Sequence, residues 1–285
     1  MKIKFIFILS LTTTLCVAQQ TVNIIPQPVS IQQQSGNFIL TGNTAIQYNP
    51  QQKGLKKVAK FFNLQLKNTT GFVLPVNTSL PATIQLSIEK LATIGDEGYN
   101  MDITSKAVTI KANTTAGIVY GIQSLLQTLP AIRTNAKLEI PCMSITDYPR
   151  FKYRGMHLDV SRHFFGPELI KEYIDLIASY KMNVFHWHLV DDQGWRIEIK
   201  KYPKLTSVGA WRVDQTDKIW GSRPQAKPDE KPTYGGYYTQ EQIKEIIAYA
   251  AQRNVTIIPE IELPGHVASA IASYPQLCCK QQQQF

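Results

Sequence analysis

Four cysteines in 285 residues are too few for a disulfide framework. One is Cys16, and the others are Cys142, Cys278 and Cys279; the vicinal pair would bridge only with strain. No Cys-x-x-Cys pair occurs, which argues against a structural zinc site. Long basic runs are missing too. The net charge of +9 is spread along the chain, with Lys-Lys pairs only at 56–57 and 200–201, so it reads as a solvated surface rather than a nucleic-acid footprint. There is no Gly-x-Ser-x-Gly elbow and no phosphate-cradling glycine loop. After residue 17 no apolar run is long enough to span a bilayer.

What is present can fold. The chain is 44% apolar and 18% charged, enough to bury a core, and its length suits one large domain or two ordinary ones. The start, MKIKFIFILSLTTTLCVAQQ, has a basic end, an apolar stretch and a small-residue cleavage site. Residues 1–18 are therefore expected to be a signal peptide, and the protein to be exported to a periplasm, the exterior or a lysosome-like compartment. A lipid anchor at Cys16 is the alternative, disfavoured by the bulk of Leu15. Sequons at Asn68, Asn77 and Asn113 matter only in a glycosylating pathway.

Residues 19–147 are expected to form a small α+β domain. Alternation predicts strands at Thr83–Lys90, Gly98–Ile103 and Ala107–Lys111. Helical spacing predicts a helix over Thr115–Leu129, stopped by Pro130, and an earlier helix is expected over about Leu55–Leu66. The joint is placed at Ile145–Arg150. From 148 the rhythm changes to strand–helix repeats: strand Arg154–Val160, helix Pro167–Tyr180, strand Asn183–Val190, helix Thr239–Arg253 and strand Val255–Ile261. A polar excursion over 204–236 is long enough to suggest function. Repeated βα units with apolar strands imply a parallel sheet covered by helices.

Ionisable residues gather where those strands end. His157, Asp159, Arg162 and His163 follow the first, Asp191 and Asp192 the second, and Glu260, Glu262 and His266 the third. In a (β/α)₈ barrel that rim carries the active site. A full barrel needs roughly 250 residues, and residues 148–285 fall well short of it. His186 and His188 face one way on their strand and could ligate a metal, but further histidine ligands are scarce: the five histidines end at His266. Arg162, three residues after Asp159, is either a structural ion pair or a guanidinium fork aimed at sugar hydroxyls. Neighbouring Asp191 and Asp192 point to opposite faces, so one serves the site and the other the scaffold. Trp195 either packs on a sugar face or closes the rim. The Asp96-Glu97 and Asp229-Glu230 pairs sit in a turn and in the excursion, and neither is expected to be catalytic.

The segments "YRGMHLDVSRHFF", "MNVFHWHLVDDQGWRIEIKKYPKLTSVGAWR", "GGYYTQEQIKEIIAYAAQRNVTIIPEIELPGH" and "YPQL" resemble the β-N-acetylhexosaminidases of glycoside hydrolase family 20. The upstream "DEGYNMDIT…AVTIKANTTAGIVYGIQSLLQTL" is similar to the small domain preceding the barrel there, so the likeness runs from about 22 to 277. It implies an α/β fold: a small α+β domain, then an incomplete TIM barrel of about three βα units.

The implied activity is removal of terminal β-linked N-acetylglucosamine or N-acetylgalactosamine from amino-sugar glycosides, with retention and without cofactor or metal. The substrate's acetamido oxygen would attack the anomeric carbon, oriented by an Asp, while a neighbouring Glu protonates the leaving oxygen. Arg162 matches the arginine that grips the sugar hydroxyls. Asp191 and His266 match residues behind the acid, and Glu260, Asp159, His188 and Asp192 the polar shell around it. The His-x-Gly-Gly-Asp-Glu type sequence carrying the catalytic pair has no counterpart here; after "YPQL" the chain reads "CCKQQQQF". No catalytic residue is therefore assigned within the chain, and the Asp-Glu pair is expected beyond Phe285. The chain is thus expected to be the N-terminal part of such an enzyme and inactive alone. A non-catalytic sugar-binding protein, and behind it a metal-dependent hydrolase using His186 and His188, are the alternatives.

Overall fold

The computed structural model describes residues 22–77, 80, 83–130, 137–219, 222–224, 226–227 and 229–278. The expectations for the signal segment, Cys16, Cys279 and the glutamine-rich end lie outside those residues. So does Phe285, beyond which the catalytic Asp-Glu pair is expected.

The first unit is a six-stranded sheet with two helices on it. Its strands are β1 (Ser30–Thr41), β2 (Ala45–Tyr48), β3 (Thr83–Ile88), β4 (Tyr99–Ile103), β5 (Ala107–Ala112) and β6 (Lys137–Asp147), in the order β1-β6-β4-β5-β3-β2. Helix α1 (Leu55–Thr70) buries Leu55, Val58, Phe62 and Leu66 at helical spacing. Helix α2 (Thr115–Gln127) begins at Thr114, whose side chain accepts the Ala116 N–H, and is buried at every position from Gly117 to Leu125. A helix apolar all round must be covered all round. Gly117 and Gly121 leave α2 close to the sheet: a Cβ on either would collide with Gly98 and Ala112, or with Ile110.

Three strands of that sheet lie outside the sequence expectations: β1, the short β2 and β6. β1 is rich in glutamine, so its alternation is faint, and β6 carries Pro141. That proline faces Asn37 beside an irregularity between Gln33 and Asn37, where a ladder tolerates a missing donor. The joint also moves. Ile145, Thr146 and Asp147 belong to β6, because they pair with β1 and β4, so the connection starts at Tyr148.

The second unit holds β7 (Gly155–Asp159), α3 (Pro167–Ser179), β8 (Val184–His188), β9 (Val190–Asp191), β10 (Gly194–Trp195), α4 (Lys204–Ser207), β11 (Trp211–Arg212), β12 (Tyr234–Gly235), α5 (Gln240–Ala251), β13 (Thr256–Glu260) and α6 (Ala268–Ser273). The β7, β8 and β13 strands form a parallel sheet in the order β13-β8-β7. Its outer face carries Phe185 and Trp187, both fully buried with Ile174 of α3 and Ile246 of α5. Helix α5 starts in a capping box between Thr239 and Gln242. The predicted strand to Val190 instead breaks after His188, and β9 turns back on β10 as a hairpin.

Candidate active site at the strand ends

Register decides what the sheet's inner face presents. Asp159, His188 and Glu260 are direct partners across β7, β8 and β13, and His157 and His186 pair two residues earlier. Since side chains alternate, all five emerge on one face. Three short strands therefore concentrate two carboxylates and three imidazoles in two adjacent rungs.

The loop after β7 builds the first part of the site. Asp159 Oδ1 accepts the N–H groups of Ser161 and Arg162 at 2.9 and 3.0 Å, folding the chain back on itself. Its Oδ2 accepts from Arg162 Nη1 at 2.8 Å. Arg162 Nη2 reaches Asp191 Oδ2 at 2.7 Å, so two carboxylates fix the plane of the guanidinium. Burial opposes the charge on Arg162, but Asp159, Asp191 and Asp192 outweigh it and hold the group firmly protonated. A third of the side chain (34%) stays accessible, leaving donors for a ligand.

Asp191 is the hub. It is fully buried, yet its carboxylate is met from four sides: Arg162, His188 Nε2 at 3.0 Å, the Asp192 N–H at 2.7 Å and His266 Nδ1 at 3.3 Å. A carboxylate buried this deeply is tolerated where polar partners surround it. The Ser269 hydroxyl bonds the Asp191 carbonyl. Asp192 is half-exposed and accepts the Ala268 N–H at 3.0 Å at the start of α6. One aspartate of the pair serves the network, and its neighbour anchors a helix. His266 sits in the left-handed region at φ 52°. His188 links the halves, with Nδ1 3.1 Å from Glu260 Oε2. Burial raises the Glu260 carboxyl, but a hydrogen bond with Glu262 and the nearby His188, His186 and His157 bring it below the ordinary glutamate value.

All seven residues singled out for the site, Asp159, Arg162, His188, Asp191, Asp192, Glu260 and His266, thus lie in one connected network. Trp195 does not face it. The indole is buried in the core and donates to the Ile197 carbonyl, so it closes the rim. The excursion contributes through its ends, where β11 pairs with β12 and Arg212 donates to the Arg162 carbonyl at 2.9 Å. Glu97 does more than occupy a turn: it bonds Arg154 and Asn183 of the second unit and Tyr120 of its own.

Arg196 was missed. It is fully buried and donates to the carbonyls of Val160, Ser161, Gln193, Ala210 and Gly236, gathering the loops around Arg162. Burial and the nearby Arg212 push it down to about 10. Any side chain at Gly194 would run into its guanidinium. The one sequence signal was an arginine between apolar neighbours, Trp195 and Ile197.

Comparison with known proteins places this arrangement. The model for "Glycosyl hydrolase family 20, catalytic domain" matches residues 151–285, and that for "Glycosyl hydrolase family 20, domain 2" matches residues 21–148. A beta-hexosaminidase of Porphyromonas gingivalis is 38% identical over 266 residues, covering 90% of this chain and 32% of that protein. One from Vibrio furnissii is 38% identical over 257 residues, covering 90% and 40%. The structure of an exo beta-N-acetylglucosaminidase from Vibrio harveyi with N-acetylglucosamine superposes with a TM-score of 0.78 at 35% identity, covering 92% of this chain and 39% of that one. The chain spans about a third to two-fifths of the length of these relatives.

Proposed function

The chain belongs to glycosyl hydrolase family 20, and from that premise we propose that its strand-end network is the amino-sugar site of an exo-β-N-acetylhexosaminidase. The observation that carries the reading is Arg162. Its guanidinium is clamped by Asp159 and Asp191 and still offers accessible donors at the barrel rim. A planar, permanently charged fork fixed in this way suits the vicinal hydroxyls of a non-reducing sugar. The relatives' names, beta-hexosaminidase and N,N'-diacetylchitobiase, support terminal β-linked N-acetylglucosamine or N-acetylgalactosamine as the ligand.

In this reading Asp191 and His266 stand behind the general acid and set its protonation, and Glu260, His188, Asp159 and Asp192 keep them in place. The acid and the acetamido-orienting aspartate are not supplied by the Asp-Glu pairs of this sequence, and the proposal puts them beyond Phe285. Glu97 is engaged with Arg154, and Glu230 accepts the Lys227 N–H in the excursion. The 285-residue chain alone is therefore proposed to bind amino sugars without hydrolysing them. Export follows from residues 1–18 in the same proposal, and no helix among the described residues is long and apolar enough to cross a membrane.

The test uses the purified chain with p-nitrophenyl N-acetyl-β-glucosaminide and the galactosaminide, and N-acetylglucosamine in a direct binding titration. Saturable binding without p-nitrophenol release is expected, weakened in Arg162→Ala by roughly tenfold to a hundredfold, the value of hydrogen bonds to a charged group. Release of p-nitrophenol would overturn the proposed inactivity. Binding that ignores Arg162→Ala would overturn the site.

A further inference from the structure

The inner face of the sheet gathers more imidazole than the sugar network uses. His188 is engaged by Asp191 through Nε2, but His157 and His186 are not. Both turn instead toward Glu260. His186 Nε2 lies 2.7 Å from Glu260 Oε2 and His157 Nε2 3.5 Å from it. The two rings meet edge to face at 4.8 Å between centroids. Glu260 Oε2 is itself shielded from solvent and receives no aligned hydrogen bond. Ring nitrogens crowded around a buried carboxylate oxygen, with their in-plane directions off the line to it, leave room for a shared ion between them.

We propose that His157, His186 and Glu260 form a binding site for one divalent transition-metal ion, with zinc the best fit. The candidate donor atoms lie within 4.8 Å of one another. Zinc holds imidazole nitrogen and carboxylate oxygen at about 2.0–2.2 Å, which sets neighbouring donors of a tetrahedral ion about 3.4 Å apart. The 3.5 Å between His157 and Glu260 already meets that spacing, and His186 would have to back away from 2.7 Å. Two imidazoles with one carboxylate favour zinc and its neighbours over calcium or magnesium, which prefer all-oxygen shells. Glu262 hydrogen-bonds Glu260 and would orient it from outside the ligand set. Access is open, since His157 is 47% and His186 36% exposed, leaving the remaining coordination positions to water.

His186 paired with His188 lacks a third ligand when read along the strand. The parallel register supplies one from each side, with His157 in place of His188. A second cluster, Asp191 with Asp192 and His266, is a poorer candidate because Arg162 already places a positive charge 2.7 Å from Asp191. The metal site goes beyond the amino-sugar reading and does not depend on it.

The experiment is a titration of the untagged, chelator-stripped chain with zinc against a chromophoric competitor, repeated with cobalt(II) to read ligand-field bands. One equivalent per chain is expected, with tetrahedral cobalt absorption. His157→Asn and His186→Asn should each weaken uptake by about tenfold or more, and Asp192→Asn should leave it unchanged. Far-UV circular dichroism confirms that each variant remains folded. Substoichiometric uptake by folded protein overturns the proposal. So does uptake that survives the double His157→Asn/His186→Asn variant, or that is lost instead on replacing Cys278 and Cys279 by serine.

Discussion

At the scale of single residues, the site is organised by buried charges whose partners differ in kind. Asp191 is paired with the Arg162 guanidinium and contacted by His188, whereas Arg196 pairs with no carboxylate among the described residues and is satisfied by five backbone carbonyls. The second arrangement fastens loops rather than side chains. Removing Arg196 would strand several carbonyls in the interior, each a cost of about 1–3 kcal/mol before relaxation. Arg196→Met is expected to lower stability by about 3 kcal/mol or more and to loosen the segment bearing Arg162. Chemical denaturation checks the first. Amide exchange at Ser161 and Arg162, raised relative to the first unit, checks the second.

Among the elements, two clamps tie the barrel strands to the six-stranded sheet. Lys181, in the turn after α3, extends Nζ to Asp147 Oδ2 at 2.8 Å and to Ser124 Oγ at 3.0 Å, with the Tyr99 hydroxyl completing the cluster. Lys181→Met leaves Asp147 buried without its cation, and a loss of about 3–5 kcal/mol is expected in thermal or chemical unfolding. The second clamp is Glu97 with Arg154, Asn183 and Tyr120. Burial raises the Glu97 carboxyl, but these partners outweigh it and hold it below the ordinary glutamate value. A depressed folded value means that the clamp contributes fully above the unfolded glutamate value and is lost as pH falls through the folded one. Denaturation from pH 7 down to pH 3 should therefore cost the native chain more stability than Glu97→Gln. Parallel pH profiles for the two would refute this.

For the whole molecule, the decisive feature is that β7 and β13 are the edges of the parallel sheet among the described residues. Parallel sheets are ordinarily covered on both faces and both edges. Here Met156, Ile258, Ile261 and Leu263 are exposed at or just beyond those edges. The 32.2 kDa chain is expected to self-associate as concentration rises, through edge pairing and apolar contact. Light scattering after size exclusion gives the mass. Ile261→Lys with Leu263→Lys should shift it toward the monomer, and an unchanged mass in that variant would place the contact elsewhere.

Much of this protein follows from local pattern. Helices α2, α3 and α5 fall where spacing, a first-turn proline and capping residues predict them, and α1 starts as expected but runs on to Thr70; each buries one stripe or is wrapped completely. The strands β7, β8 and β13 show as short apolar runs ending in ionisable residues, and the motifs that resemble family 20 name all seven members of the strand-end network. What the sequence could not settle depends on partners far along the chain. β1 and β6 are too polar, or too interrupted, to signal strands until they pair. Asp147 reads as linker until Lys181 is placed against it, and Trp195 faces a sugar or the core with equal ease until the hairpin turns. Arg196 declares no role before five carbonyls converge on it. The grouping of His157 with His186 and Glu260 rests on parallel register, a relation between strands that no single strand encodes. Sequence determined which residues could do chemistry, since residue type and periodicity are local. Tertiary structure decided which of them meet, since register and burial are set by the packing of distant segments.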